Sequence, residues 1–227
     1  MQGTESSAPS KAEQVAQRRT AVERWLVWSG LVPLPVFLCL HVTRELTLAF
    51  AGDVSQVLRP TRGAFSLISS VVLVWLPLTL HGALGAWLVA SGRKLRPLPA
   101  DVSALARALS RACALGALAF VLYHAGELPL PVLRGRAAAE DTGFRLIAQL
   151  SSTAAGVPAA AALYVLGLLA TTAHAGLAVH RGLLGEGWLD SATRRRRSAR
   201  LCAALSLLTF ALGAVAVIRV ASGVLLR

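Results

Sequence analysis

Residues Phe65–Ala90 read FSLISSVVLVWLPLTLHGALGAWLVA: 26 residues without an Asp, Glu, Lys or Arg, carrying a single histidine, His81. At about 1.5 Å rise per residue, a helix needs roughly 20 mostly apolar residues to cross a hydrocarbon core of about 30 Å. This stretch qualifies with length to spare. A transmembrane strand does not fit, because the apolar residues run continuously instead of alternating. Four further runs have the same character: Trp25–Phe50, Leu105–Leu128, Ala154–Val179 and Leu201–Val224. Between the runs lie turn and breaker signals: Arg59-Pro60 with Gly63, Pro97 with Pro99, Pro129 with Pro131, and Gly185 with Gly187. Pro33, Pro35 and Pro77 fall inside runs, where neighbouring helices can satisfy the freed carbonyls. The sequence therefore predicts an all-α integral membrane protein with five transmembrane helices over 25–227. The polar tail 1–24 precedes them and is followed by too long an apolar run to be a cleaved signal peptide.

Composition agrees. Of 227 residues, 55% are hydrophobic and 15% charged, against about 25% charged in soluble chains. The same hydrophobicity excludes disorder. Cys39, Cys113 and Cys202 all lie in apolar runs with no Cys-x-x-Cys, which excludes a disulfide framework, a thiolate zinc site, an iron–sulfur cluster and c-type haem attachment. Net charge is +12, and 21 of the 23 basic residues are Arg. Fifteen basic residues collect on one side: the tail, then Arg93 to Arg111, then Arg181 to Arg200; the other side has eight. The positive-inside rule then predicts a cytoplasmic N-terminus and an outside C-terminus. The run Arg194–Arg197 reads as a topology determinant beside an anionic leaflet, not as a nucleic-acid patch.

Four of the five histidines, His41, His81, His124 and His174, occur one each in the first four spans. An ionisable side chain inside a membrane is costly and marks a functional candidate. One such residue is as readily a hydrogen-bonded packing group as a ligand; four in consecutive helices favour ligands. Each sits in the second half of its span. Spans one and three run outward, so His41 and His124 approach the outer surface. Spans two and four run inward, so His81 and His174 approach the inner one. Two pairs at levels on the order of 10–20 Å apart follow. Zinc takes four ligands, or three and water, whereas haem iron needs two axial groups beyond its porphyrin nitrogens. Two bis-histidine b haems use all four imidazoles, an outer one on His41 and His124 and an inner one on His81 and His174. Small residues nearby (Gly82, Gly85, Ala125, Gly126, Ala173, Ala175 and Gly176) would let a flat macrocycle approach the backbone. His180 lies about 240° around the helix from His174, which makes it a snorkelling or propionate-binding candidate together with Arg93 and Arg181. Glu45 and Glu127 share faces with His41 and His124 one turn farther outward, as quinone-site candidates; the alternative is that they are interface charges paired with Arg44.

In these residues the chain resembles the five-helix dihaem cytochrome b membrane anchor of succinate dehydrogenases and fumarate reductases. Pro77-Leu-Thr-Leu-His81-Gly-Ala-Leu-Gly85 is similar to the family's P-x-x-x-H-x-x-x-G. Arg111 and Gly116 precede Tyr123-His124, Leu163-Tyr164-Val-Leu-Gly167 precedes His174, and Ser29-Gly30 precedes the late His41. Ala178 stands where the family commonly has glycine. The resemblance implies a haem-binding bundle of the first four helices with the fifth peripheral. It also implies a cytoplasmic-membrane complex with a flavoprotein and an iron–sulfur subunit, in which two b haems pass electrons to membrane quinone, menaquinone being the expected type. The chain would have no succinate site of its own and no nucleic-acid partner. Two other classes compete. The b-type anchor of a hydrogenase or formate dehydrogenase often puts two ligands on one helix, and a haem-free transporter needs mid-span carboxylates or broken helices.

Overall fold

The computed structural model describes residues 21–50, 71–92, 104–127, 130–131, 134–135, 141–154 and 156–222. The chain is helical, with α1 (Ala21–Leu31), α2 (Pro33–Phe50), α3 (Leu76–Ala90), α4 (Ala104–Glu127), α5 (Asp141–Ser151), α6 (Ala159–Gly185) and α7 (Ala192–Ala221). Among the described residues, the one β pairing is an isolated bridge between Ala154 and Val157. Five helices are long and apolar enough to cross a membrane, α1 and α2 together forming the first. The protein is a multi-pass membrane protein. Large apolar side chains such as Leu105, Leu40 and Leu166 stand exposed on its outer surface, where lipid tails would meet them.

Each departure from the predicted spans has a local cause. The first span bends at Val32, because Pro33 has no N–H to donate into the preceding turn. A π-helical turn, Val71–Trp75, leads into α3 just ahead of Pro77, which likewise leaves a carbonyl without its helical donor. The fourth helix starts at Ala159 and not at Ala154. Residues 154 to 157 close a turn on two backbone hydrogen bonds (2.9 and 3.0 Å) around Gly156, whose φ of +79° suits glycine. It then runs past Val179 to Gly185. The fifth starts at Ala192, because the Ser191 hydroxyl caps it by accepting from the Arg194 N–H at 3.2 Å. The four arginines Arg194–Arg197 thus lie in the first turns of α7, and Arg194 pairs with Asp190 at 2.9 Å.

Arg181 in α6 reaches the Ser110 hydroxyl and the Ala106 carbonyl of α4. Trp28 of α1 meets Trp188, just past α6, edge to face. These contacts gather Arg107, Arg111, Arg181 and Arg194–Arg197 at one end of the bundle, called here the arginine-rich end. At the far end α5 lies against α6 and α7. This amphipathic helix was absent from the sequence expectations. It buries Ile147 and Leu150, and the Ser151 hydroxyl donates to the Val220 carbonyl. Arg219 of α7 donates to the Ala49 carbonyl at the end of α2 and covers the Phe50 ring at 4.0 Å, satisfying a carbonyl the helix leaves free.

The closely packed helix pairs are α6 with α7, α6 with α4, α7 with α2, and α1 with α3. Glycines set several of these approaches. Gly116 faces Ala170 where α4 crosses α6, and a Cβ there would come within 3.0 Å of the Ala170 methyl, closer than ordinary contact allows. Gly176, expected to make room beside His174, instead faces the Cys202 carbonyl and Ser206 of α7. It serves a helix contact. At Gly167 a Cβ would run into the Phe120 ring of α4. Gly167→Val should therefore lower the stability of the detergent-solubilised protein by about 1–3 kcal/mol, the usual cost of overpacking. An unchanged thermal transition would contradict this contact. The helix expected at the periphery, α7, carries no histidine and lies along α6 and α2.

Candidate functional site

Neither α2 with α4 nor α3 with α6 is among the closely packed pairs. Across these two gaps the histidines meet. The rings of His41 (α2) and His124 (α4) have centroids 6.0 Å apart at 67°, and those of His81 (α3) and His174 (α6) are 6.0 Å apart at 54°. The structure thus brings together the residues that sequence depth puts on common levels. His124 contacts Tyr164 of α6, ten residues before His174, so the levels are separated by about 15 Å along that helix.

Each pair has a distinct surrounding. At the arginine-rich level, His81 Nδ1 lies 3.0 Å from the Leu26 carbonyl and 3.4 Å from Ser29 Oγ. A carbonyl only accepts, so Nδ1 carries the proton and the neutral ring offers its Nε2 lone pair. Metal-binding histidines are held by that type of contact. Gly30 makes the position possible, since a Cβ there would sit 2.6 Å from His81 Nδ1. At the far level, His124 Nδ1 is hydrogen-bonded to the Tyr164 hydroxyl at 3.2 Å. Phe37 stacks on His41 (5.3 Å) and Phe120 on His124 (5.9 Å). Sequence reasoning missed Leu26, Phe37 and Phe120. Tyr164 and Ser29-Gly30 entered only through the family resemblance, and their places beside the imidazoles could not be read from it.

The carboxylates behave differently from each other. Glu45 Oε1 lies 3.3 Å from Arg44 and 3.8 Å from His41 Nδ1. The Arg44 pairing is the one expected of an interface charge, and the His41 approach is the one expected of a site residue. Glu127 is exposed, and its backbone carbonyl accepts from Arg145 at 3.1 Å. His180 Nδ1 bonds Ser198 Oγ of α7 at 3.0 Å, which turns it into the apolar cleft between α6 and α7. Arg181 lies seven residues after His174 and so on the same helix face, two turns nearer the helix end. Arg93 lies outside the described residues.

What can such an arrangement hold? Among the described residues no three His, Cys, Asp or Glu side chains converge as ligands for a bare metal ion. Two facing imidazoles are another matter. A metal bound between them sits about 2 Å from each nitrogen, and each nitrogen lies roughly 1 Å from its ring centre, so the centroids fall roughly 6 Å apart. Both pairs have that separation. The donor set, two neutral nitrogens per level with the remaining coordination left to the cofactor, suits a haem iron. Edge-to-face imidazole packing in a core produces a similar contact, so the distinction rests on chemistry that can be measured. No protein-family model, curated protein or solved structure matches the chain.

Proposed function

We propose that this protein is the membrane-anchor cytochrome b subunit of a succinate:quinone or fumarate-reducing complex, carrying an inner haem b on His81 and His174 and an outer one on His41 and His124. The observation that carries the reading is the double imidazole pair, with a 6.0 Å centroid separation repeated at two levels across loosely packed helix gaps. When bound, the haems supply one-electron chemistry. The chain supplies the axial nitrogens, the Leu26 and Tyr164 contacts that orient two of them, and an apolar surround. Arg181, on the His174 face, is the proposed partner of an inner propionate, with Arg93 as a further candidate; His180, bonded to Ser198 of α7, faces away from the inner pair. The arginine-rich end faces the cytoplasm and docks the iron–sulfur subunit, whose electrons come from a flavoprotein; the C-terminus is outside. The ordered motifs around Pro77, His81, His124 and Tyr164 favour this complex over the anchor of a hydrogenase or formate dehydrogenase.

Tagged chain solubilised from its native membrane should bring down a flavoprotein and an iron–sulfur protein and support succinate-driven reduction of a quinone analogue. Recovery of a hydrogenase or formate dehydrogenase subunit instead would assign the anchor elsewhere. Glu45 and Glu127 are proposed to accept protons from quinol near the outer haem. Glu45→Gln and Glu127→Gln should keep both haems and slow quinol oxidation by about 10²-fold, the usual loss on removing a general base. Normal turnover in both would move the quinone site away from them.

A further inference from the structure

We propose that Tyr164 is a positioning residue for His124, its phenolic oxygen accepting the Nδ1–H so that Nε2 is the nitrogen presented across the gap to His41. The proposal rests on the haem reading above and adds a residue that determines how the outer haem is held and poised.

Tyr164 is 5% exposed and packs with Leu150 and Ala161, with Phe120 and Tyr123 against the same cluster. A phenol hydroxyl can donate or accept, and its partner within reach is His124 Nδ1 at 3.2 Å. On the haem reading Nε2 must keep its lone pair for the iron, so Nδ1 carries the proton and the phenol oxygen accepts it. The ring cannot readily turn away. Its centroid is 5.3 Å from Phe120, 6.0 Å from Tyr123 and 5.7 Å from His124, all edge to face. A neutral imidazole has one N–H and one lone pair. With Nδ1–H directed at the phenol oxygen, the lone pair is on Nε2, as the Leu26 carbonyl imposes on His81 at the other level.

The two levels therefore use different acceptors. One is a backbone carbonyl that no side-chain change removes, and the other a hydroxyl that a single substitution removes. An acceptor on the outer nitrogen makes an axial imidazole more electron-donating and favours the oxidised iron. Loss of the hydroxyl should raise the potential of the outer haem and leave the inner one in place. Tyr123 provides the internal comparison. It adjoins His124 in sequence and packs in the same cluster, but its oxygen accepts from Gln149 Nε2 at 2.6 Å.

The test is a redox titration of the full-length purified protein with low-temperature spectra, comparing wild type, Tyr164→Phe and Tyr123→Phe. The expected result is an upward shift of the outer haem's potential and an altered low-spin signal in Tyr164→Phe alone, with haem content unchanged. No shift in Tyr164→Phe, or an equal shift in Tyr123→Phe, overturns the proposal. Should Tyr164→Phe lose the outer haem, it must do so with the inner haem and the thermal transition preserved while Tyr123→Phe keeps both haems; loss of both haems, or an equal loss in Tyr123→Phe, overturns the proposal. Wild-type protein without haem would instead refute the underlying reading, before any variant is compared.

Discussion

His174→Ala and His81→Ala should each give a protein holding one haem in place of two, with the remaining one still low-spin and bis-histidine. The expected loss is complete because each level has two imidazoles and no spare ligand: among the described residues no third His, Cys, Asp or Glu joins either pair. The abandoned partner adds a penalty. An unsatisfied buried polar group costs about 1–3 kcal/mol, and the stabilisation from bound cofactor is lost too. His174→Ala should leave the His81 ring tethered to Leu26, so the failure would be one of ligation and not of folding. On the proposed function, succinate-to-quinone electron transfer should fall to background in both, since the inner haem would lie between the iron–sulfur protein and the rest of the path. His41→Ala and His124→Ala should form the complementary class, losing the outer haem with the inner spectrum intact. Spectra that group His41→Ala with His81→Ala would break the pairing.

Gly30→Ala should remove the inner haem without touching the ligands themselves. The added methyl would sit 2.6 Å from His81 Nδ1, where contact is not tolerated, so the imidazole must move. It has little freedom, held by the Leu26 carbonyl behind it and facing His174 across the gap. Global stability should change little. Replacing a helical glycine by alanine gains up to about 1 kcal/mol, which offsets part of an overpacking cost of about 1–3 kcal/mol. Haem content near one per chain with a preserved thermal transition is the expected outcome, measured with the outer haem as the internal standard. Two haems in Gly30→Ala would show that His81 is not confined as described.

Sequence length and polarity made the five spans legible, because twenty apolar residues in a row have few uses other than crossing a membrane. The levels of the four histidines were legible for a related reason: chain direction alternates from span to span, so position along each run becomes depth. Rotation was not. Tyr164 and His124 are 40 residues apart, and Ser29 and His81 are 52 apart. Whether such residues touch depends on how each helix turns about its axis, and four nearly uniform apolar helices give little signal of that. Gly176 shows the same limit, since small residues serve helix contacts and cofactor clearance equally well and only the place of α7 decides. The helix α5 escaped because eleven residues with Arg145 and Gln149 among Leu146, Ile147 and Leu150 fall below any span-length criterion. Its 3–4 residue apolar spacing was the available signal.

The most direct test of the account is the haem content and spin state of the purified wild-type chain. Pyridine haemochrome analysis against protein mass should give two b haems per chain, and low-temperature paramagnetic resonance should show two low-spin ferric signals of bis-imidazole type. A chain with no haem, a single haem, or a high-spin iron open at one axial position would contradict it, leaving the two histidine pairs as packing contacts in a membrane bundle of some other use.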